Sequence, residues 1–307
     1  MRPTMRAATS LAVFGLLLAA NPGEALAQRE IDETRALRAN GRVEVENLAG
    51  SIEVRGWNRD EVRVTGTLGR NVEDVDIVAS GGRVSIRVRH PRRGGSWRSS
   101  GTALEISMPA GARLRVETVS SDIDVQGVNG RLDLEAVSGD VDIRGAGGEV
   151  RAESVSGTIQ VEGTSPDLRL ESVSGDVVVS GVDGASIRAG SVSGDVDVRG
   201  GTFLDGNFET VSGSVAFTGE LADGGDFDFE SHSGRVVLVL TGDVNAEFSL
   251  STFSGSIRGR LRDLDISDQV ERTSRWTPGR EAHFRVGDGS ARVDASSFSG
   301  SVEIRSR

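Results

Sequence analysis

The feature that most constrains this chain is a repeat. "RLDLEAVSGDVDIRG" at Arg131–Gly145 is followed by "EVRAESVSGTIQVEG" at Glu149–Gly163 and by "DLRLESVSGDVVVSG" at Asp167–Gly181. Take the residue before each Ser-Gly as a reference slot. Val119 (before Ser-Ser), Val137, Val155, Val173, Val192, Val211, His232 and Phe253 fill it at spacings of 18, 18, 18, 19, 19, 21 and 21. Phe298 fills it once more after 45 residues, and Leu48 fills it early, before Ala-Gly.

The columns around the slot carry the structural signal. Five residues before it stand Val43, Leu114, Leu132, Val150, Leu168, Ile187, Phe227, Phe248 and Val293, broken by Gly206. Four residues after it stand Ile52, Ile123, Val141, Ile159, Val177, Val196, Val215, Val236, Ile257 and Val302. The columns three before and six after are also apolar, broken in the latter by Gly259, and the intervening residues are mostly Asp, Glu, Arg and Gln. Alternation of period two on both sides of a turn describes two half-buried strands, and no helical spacing is sustained.

A unit of about 18 residues cannot bury its apolar face alone, so successive units must stack. Each strand then pairs in parallel with its equivalent one period later. The expected fold is all-β: a parallel β-solenoid of 18–21-residue coils, capped by an N-terminal antiparallel sheet. At about 4.8 Å per coil, the eight consecutive units from Leu114 to Gly259 make a stack of roughly 40 Å. Crossover sterics favour a right-handed coil, but solenoids of both hands exist and the hand stays open.

Two readings of the Ser-Gly-Asp corner stand. As turn punctuation, Gly139, Gly157, Gly175, Gly194 and Gly213 supply positive φ. Ser138 and its equivalents bond nearby backbone and each other, while Asp122, Asp140, Asp176 and Asp195 fix the turn. As a ligand ladder, the same aspartates hold calcium. The first reading is preferred, because Thr158, Ser214, Arg235, Ser256 and Ser301 occupy the Asp position in other units. The dense Gly-Gly-x-Gly-x-Asp pattern of calcium repeats is also missing.

The flanks complete the organisation. Arg2 and Arg6, the apolar run Ala7–Ala20 and Ala25-Leu26-Ala27 read as a signal peptide over residues 1–27, with an expected mature N-terminus at Gln28 and an uncleaved N-terminal anchor as the alternative. That implies export to the periplasm or cell surface. No cysteine follows, which removes both disulfides and a lipoprotein anchor. Residues 28–113 form an early unit and a capping region in which Gly56–Arg113 reads as an antiparallel sheet turning at Gly81-Gly82. Residues 114–307 form the array, interrupted by a loop or excursion at 261–280. No transmembrane span is expected in the mature chain, and its oligomeric state is not legible.

"GSIEVRGWNRDEVRV" at Gly50–Val64, "LEISMPAGARLRVETVSSDIDV" at Leu104–Val125, the serial Val-Ser-Gly-Asp units and the terminal "GSARVDASSFSGSVEIRS" carry a likeness. With them the chain resembles the bacterial putative-adhesin β-strand-repeat family, a domain of unknown function in exported and envelope proteins. The resemblance covers nearly all of the mature chain. It implies a β-solenoid in the envelope or at the surface, and it supplies no catalytic residues.

The inventory for chemistry is thin. The three histidines, His90, His232 and His283, have no metal-ligand spacing, and His232 occupies a repeat slot as a partly exposed corner residue. There is no cysteine, no nucleophile elbow and no phosphate loop. Carboxylates recur in phase with the repeat, whereas a catalytic pair would break it. The sequence therefore nominates no catalytic residue, no cofactor and no metal ligand. The net charge is −11, or −12 once Arg2, Arg6 and Glu24 leave with the signal peptide, which disfavours nucleic acid. One basic stretch, Arg87–Arg98, reads as a solvated loop or as a contact for an anionic glycan or lipid. A non-catalytic binding or adhesion module for an envelope protein or glycan is expected. A purely structural scaffold and a polysaccharide-active enzyme are the alternatives.

Overall fold

The computed structural model describes residues 29–70, 72–90, 101–273 and 279–307. The expected signal peptide and cleavage site lie outside the described residues.

Strand pairing follows the sequence columns. Ile159 is the register partner of both Val141 and Val177, and Val150 of both Leu132 and Leu168. All of these side chains are fully buried. Parallel pairing runs without a break from the early unit, where Val43 faces Leu114 and Ile52 faces Ile123, to the unit of His232. Each unit is thus one rung, made of a strand, the Ser-Gly corner and a second strand. The fold is an all-β, largely parallel solenoid with antiparallel strands at its ends.

The order of the last rungs departs from the chain order. Phe227 pairs with Val293, and Val293 pairs with Phe248; likewise Val236 pairs with Val302, and Val302 with Ile257. The coil around Phe298 is therefore inserted between those of His232 and Phe253, and does not extend the end of the stack. Reaching back this way leaves the Phe253 coil terminal. Arg280–Val286 then covers it, antiparallel to Ala246–Thr252. The excursion expected over 261–280 is more than a loop. It carries Leu264–Asp265 against Ile257–Leu261, a short 3-10 turn with Ile266 fully buried, and Val270–Arg272 on the outer edge of Arg280–Val286.

The other end also differs from an all-antiparallel cap. Arg83–Arg89 and Thr102–Pro109 both pair in parallel with Arg42–Trp57, so together they make a further rung below the early unit. Antiparallel strands close it: Asp74–Ser80 on one side, and Glu61–Thr67 followed by Glu30–Ala36 on the other. Gly81 and Gly82 turn the first hairpin with φ of 60° and 77°, as two mirror-image turn residues must.

The gap at Gly206 has a packing cause. A Cβ there would lie 2.6 Å from the ring of Phe208 and 2.9 Å from that of Phe227. The missing side chain makes room for an interior aromatic cluster in which Phe208 stacks on Phe229 at 4.9 Å.

Candidate functional site

The corners are built by close approach. A Cβ on Gly157 would stand 1.9 Å from the carbonyl oxygen of Gly139, and one on Gly175 would stand 2.0 Å from that of Gly157. Gly194, Gly213 and Gly234 repeat the contact one rung at a time, at 2.1, 2.1 and 1.8 Å. Of the five glycines expected to supply positive φ, only Gly139 does so, at 126°. Glycine is required because each corner rests directly on the one before it and leaves no room for a side chain.

The hydroxyl ladder is also displaced by two residues from its expected place. Ser138 is exposed. The residue before the slot points inward instead: Ser172, Ser191, Thr210, Ser231, Thr252 and Ser297 are all buried. Ser191, Thr210 and Ser231 donate to the carbonyls of Gly175, Gly194 and Gly213 at 2.9, 2.9 and 2.8 Å. Ser191 also accepts from the Gly194 amide at 2.9 Å. These bonds satisfy buried backbone groups that leave the strand ladder at the corner. A column of small hydroxyl residues at that position was the available signal.

The aspartates bind backbone. Asp122 accepts from the Asp140 amide at 3.1 Å, Asp140 from Thr158 at 2.8 Å, Asp176 from Asp195 at 2.8 Å, and Asp195 from Ser214 at 2.7 Å. Each carboxylate thus ties its corner to the next. Among the described residues, no cluster of His, Cys, Asp or Glu is arranged to hold a metal ion.

With the hydroxyls inside and the aspartates tied down, the slot residue is left projecting. Val119, Val137, Val155, Val173, Val192 and Val211 are each close to half exposed, from 44% at Val173 to 48% at Val137 and Val211. Leu48 starts this line at 46%. His232, Phe298 and Phe253 end it as a parallel stack, with ring centroids 4.9 Å apart at both steps. The result is a continuous apolar ridge along one corner of the solenoid. Among the described residues, Val78 and Leu204 are the other large apolar side chains this exposed.

Beside the ridge runs an open groove. Glu46, Glu117, Glu135, Glu153 and Glu171, two residues before the slot, form its other wall. This stretch encloses about 800 Å³ and is bordered at its head by Arg87, Val88 and His90. It continues past Gly190 for a further 850 Å³ along Glu209, Val211, Glu230 and His232. Several wall glutamates pair with arginines set further from the ridge. Arg115 bonds Glu117 at 2.7 Å and Glu135 at 2.9 Å, Arg169 bonds Glu171 at 2.8 Å, and Arg151 bonds Glu153. Glu209 and Glu230 make no ion pair among the described residues.

The acidic character peaks near them. Partial desolvation raises the pKa of Asp228, and Glu230, Asp294, Glu209 and Asp226 add to the rise in that order. Desolvation likewise raises that of Asp142, although Arg144 bonds it. Of the basic stretch, Arg87 pairs with Glu46 and Arg89 with Asp76 at 3.0 Å. Residues 91–98 lie outside the described residues. His283 stands 3.8 Å from Glu281 on the exposed capping strand, and His90 Nε2 has no hydrogen-bond partner among the described residues.

A family model described as Toastrack DUF4097 matches residues 40–305. No curated protein matches the chain. Among solved structures, a putative adhesin from Parabacteroides distasonis ATCC 8503 is similar at 11% identity and a TM-score of 0.44, over 91% of this chain and 98% of that one. A putative adhesin from Bacteroides fragilis NCTC 9343 is similar at 11% identity and 0.43, over 91% and 97%.

Proposed function

The chain belongs to the Toastrack DUF4097 family, and we propose that it is an exported, non-catalytic binding module of the cell envelope that holds a protein partner along the valine ridge. The observation that carries this reading is the ridge itself. Soluble proteins rarely leave a long contiguous apolar line half exposed, and such a line marks an interaction surface. The slot side chain points away from the core, and the corner is held by the neighbouring glycine, hydroxyl and aspartate.

A protein suits the ridge better than a glycan. Sugars dock on open aromatic faces, whereas Phe298 has one face against His232 and the other against Phe253. The carboxylates support the non-catalytic reading, since those in the aspartate ladder bind backbone amides in phase with the rungs. Export rests on the N-terminal sequence alone. N-terminal sequencing of protein recovered from the envelope fraction should begin at Gln28, and an intact Met1 on exported material would refute it.

The binding reading is tested by replacing Val137, Val155 and Val173 together with serine. The variant should keep its melting temperature and lose the larger complex that the native chain forms on a native gel of envelope extract. A complex of unchanged size would leave the ridge without this role and favour a scaffold.

A further inference from the structure

Resting on the reading of the ridge as a binding face, we propose that its groove takes a basic amphipathic α-helix lying along the solenoid axis. Three observations select this occupant over others.

The first is length and period. From Leu48 to His232 the groove crosses eight rungs, which span about 34 Å at a spacing of about 4.8 Å. A helix of roughly 22 residues covers that distance at 1.5 Å per residue. An apolar stripe on a helix recurs every 3.5 residues on average, or about 5.2 Å. That is within about half an ångström of the rung spacing, so the stripe drifts by about 3 Å over the seven steps of the groove and stays within one rung of register. In an extended strand, same-face residues recur at about 6.7 Å and lose register with the ridge within two or three rungs.

The second is charge on both flanks. On one side of the ridge stand the wall glutamates, among them Glu117, Glu135 and Glu153. On the other stand Asp122, Asp140, Asp176 and Asp195 at the corners, with Thr158 and Ser214 in the same line and Arg235 at its far end. A second copy docked ridge to ridge would set acid against acid in either orientation, and an anionic membrane surface would be repelled in the same way. A helix with lysine or arginine on both sides of its apolar stripe is complementary to both flanks.

The third is availability. The arginines that pair with the wall glutamates approach from the far side and are themselves close to half exposed, as at Arg115 and Arg169. Exposed pairs of this kind are weak and exchange with a competing cation. Glu209 and Glu230 are open to a ligand at the far end of the groove.

The test uses the purified protein and labelled peptides of about 22 residues, a length set by the helix rise. The probe carries leucine at i, i+3, i+4 and i+7 positions with lysine elsewhere. One control scrambles its order, one places proline at two interior positions, and one replaces lysine with glutamate. Anisotropy should show saturable binding of the probe with at least tenfold weaker binding of each control. Circular dichroism should show helix gained on binding. Val155→Lys with Val173→Lys, and separately Glu135→Gln with Glu153→Gln, should each weaken the probe at least fivefold at unchanged melting temperature. Equal binding of the scrambled peptide would reduce the effect to bulk charge, and equal binding of the proline peptide would mean an extended ligand. Preference for phosphatidylglycerol vesicles would mean a lipid surface, and a concentration-dependent dimer would mean self-association. Each of these overturns the proposal. Absence of peptide binding while the serine variant still loses its envelope complex would refute the helix and leave the ridge as a binding face.

Discussion

Gly157 lies one rung beyond Gly139, so close that a Cβ on Gly157 would stand 1.9 Å from the Gly139 carbonyl oxygen. The contact recurs at every Ser-Gly corner from Gly157 to Gly234, and it fixes how tightly the rungs can stack. Gly181 is a contrasting case, with φ of 59° and open space where a Cβ would go. Gly157→Ala should cost about 3 kcal/mol, the upper range for forcing an atom into packed structure. Gly181→Ala should cost about 1 kcal/mol, the strain of a left-handed residue with a side chain. Equal losses in urea unfolding would show that the corners are not in contact.

The inward hydroxyls give a second comparison. Ser231 is fully buried and donates to Gly213 at 2.8 Å, whereas Ser138 is exposed. Ser231→Ala should destabilise by about 1 kcal/mol, the usual net worth of such a bond. Ser138→Ala should stay within about 0.5 kcal/mol of the native chain. The same denaturant titration checks both, and a reversed ranking would contradict the assignment of the ladder.

Register is tested in the core column. Ile159 is fully buried between Val141 and Val177, while Gln160 faces outward and is half-buried. Ile159→Asp should cost several kcal/mol, about the penalty for an unpaired polar group in an apolar interior. Gln160→Thr should change stability by less than about 0.5 kcal/mol. Thermal melts separate them.

How much of this was legible before the structure depends on what each column encodes. The pairing of Leu132, Val150 and Leu168 was readable because period-two alternation assigns faces and the repeat length assigns partners. The insertion of the Phe298 coil before that of Phe253 was not, because apolar columns carry no label of rung order. The rung formed by Arg83–Arg89 and Thr102–Pro109 was not readable, because residues 90–101 lie between its strands in the sequence and the column spacing of the repeat is lost. The inward turn of Ser172 and Ser191 is not legible, because serine beside a turn ordinarily faces solvent, although here both bond carbonyls at the corner. The ridge was visible as a valine column, but its exposure follows only from a corner whose geometry the sequence does not state.

Acid crowding on the groove face should make stability depend on pH in a definite direction. The folded state raises the pKa of Asp228, so it disfavours the ionised carboxylate relative to the unfolded chain. The resulting penalty is absent below the ordinary aspartate value, about 4, and grows as pH rises through the folded value. Asp228→Asn should therefore raise the melting temperature at pH 7. The gain should fade as pH falls below about 4. A gain that persisted at low pH would mean that charge is not its source.

The claim that the ridge is where a partner sits is tested most directly by site-specific photo-cross-linking in living cells. A photoreactive residue at Val155, 45% exposed on the ridge, is compared with one at Gln160 on the opposite strand of the same rung. The account predicts a discrete protein adduct from position 155 and none from 160. No adduct from 155, or the same adducts from both positions, would contradict it.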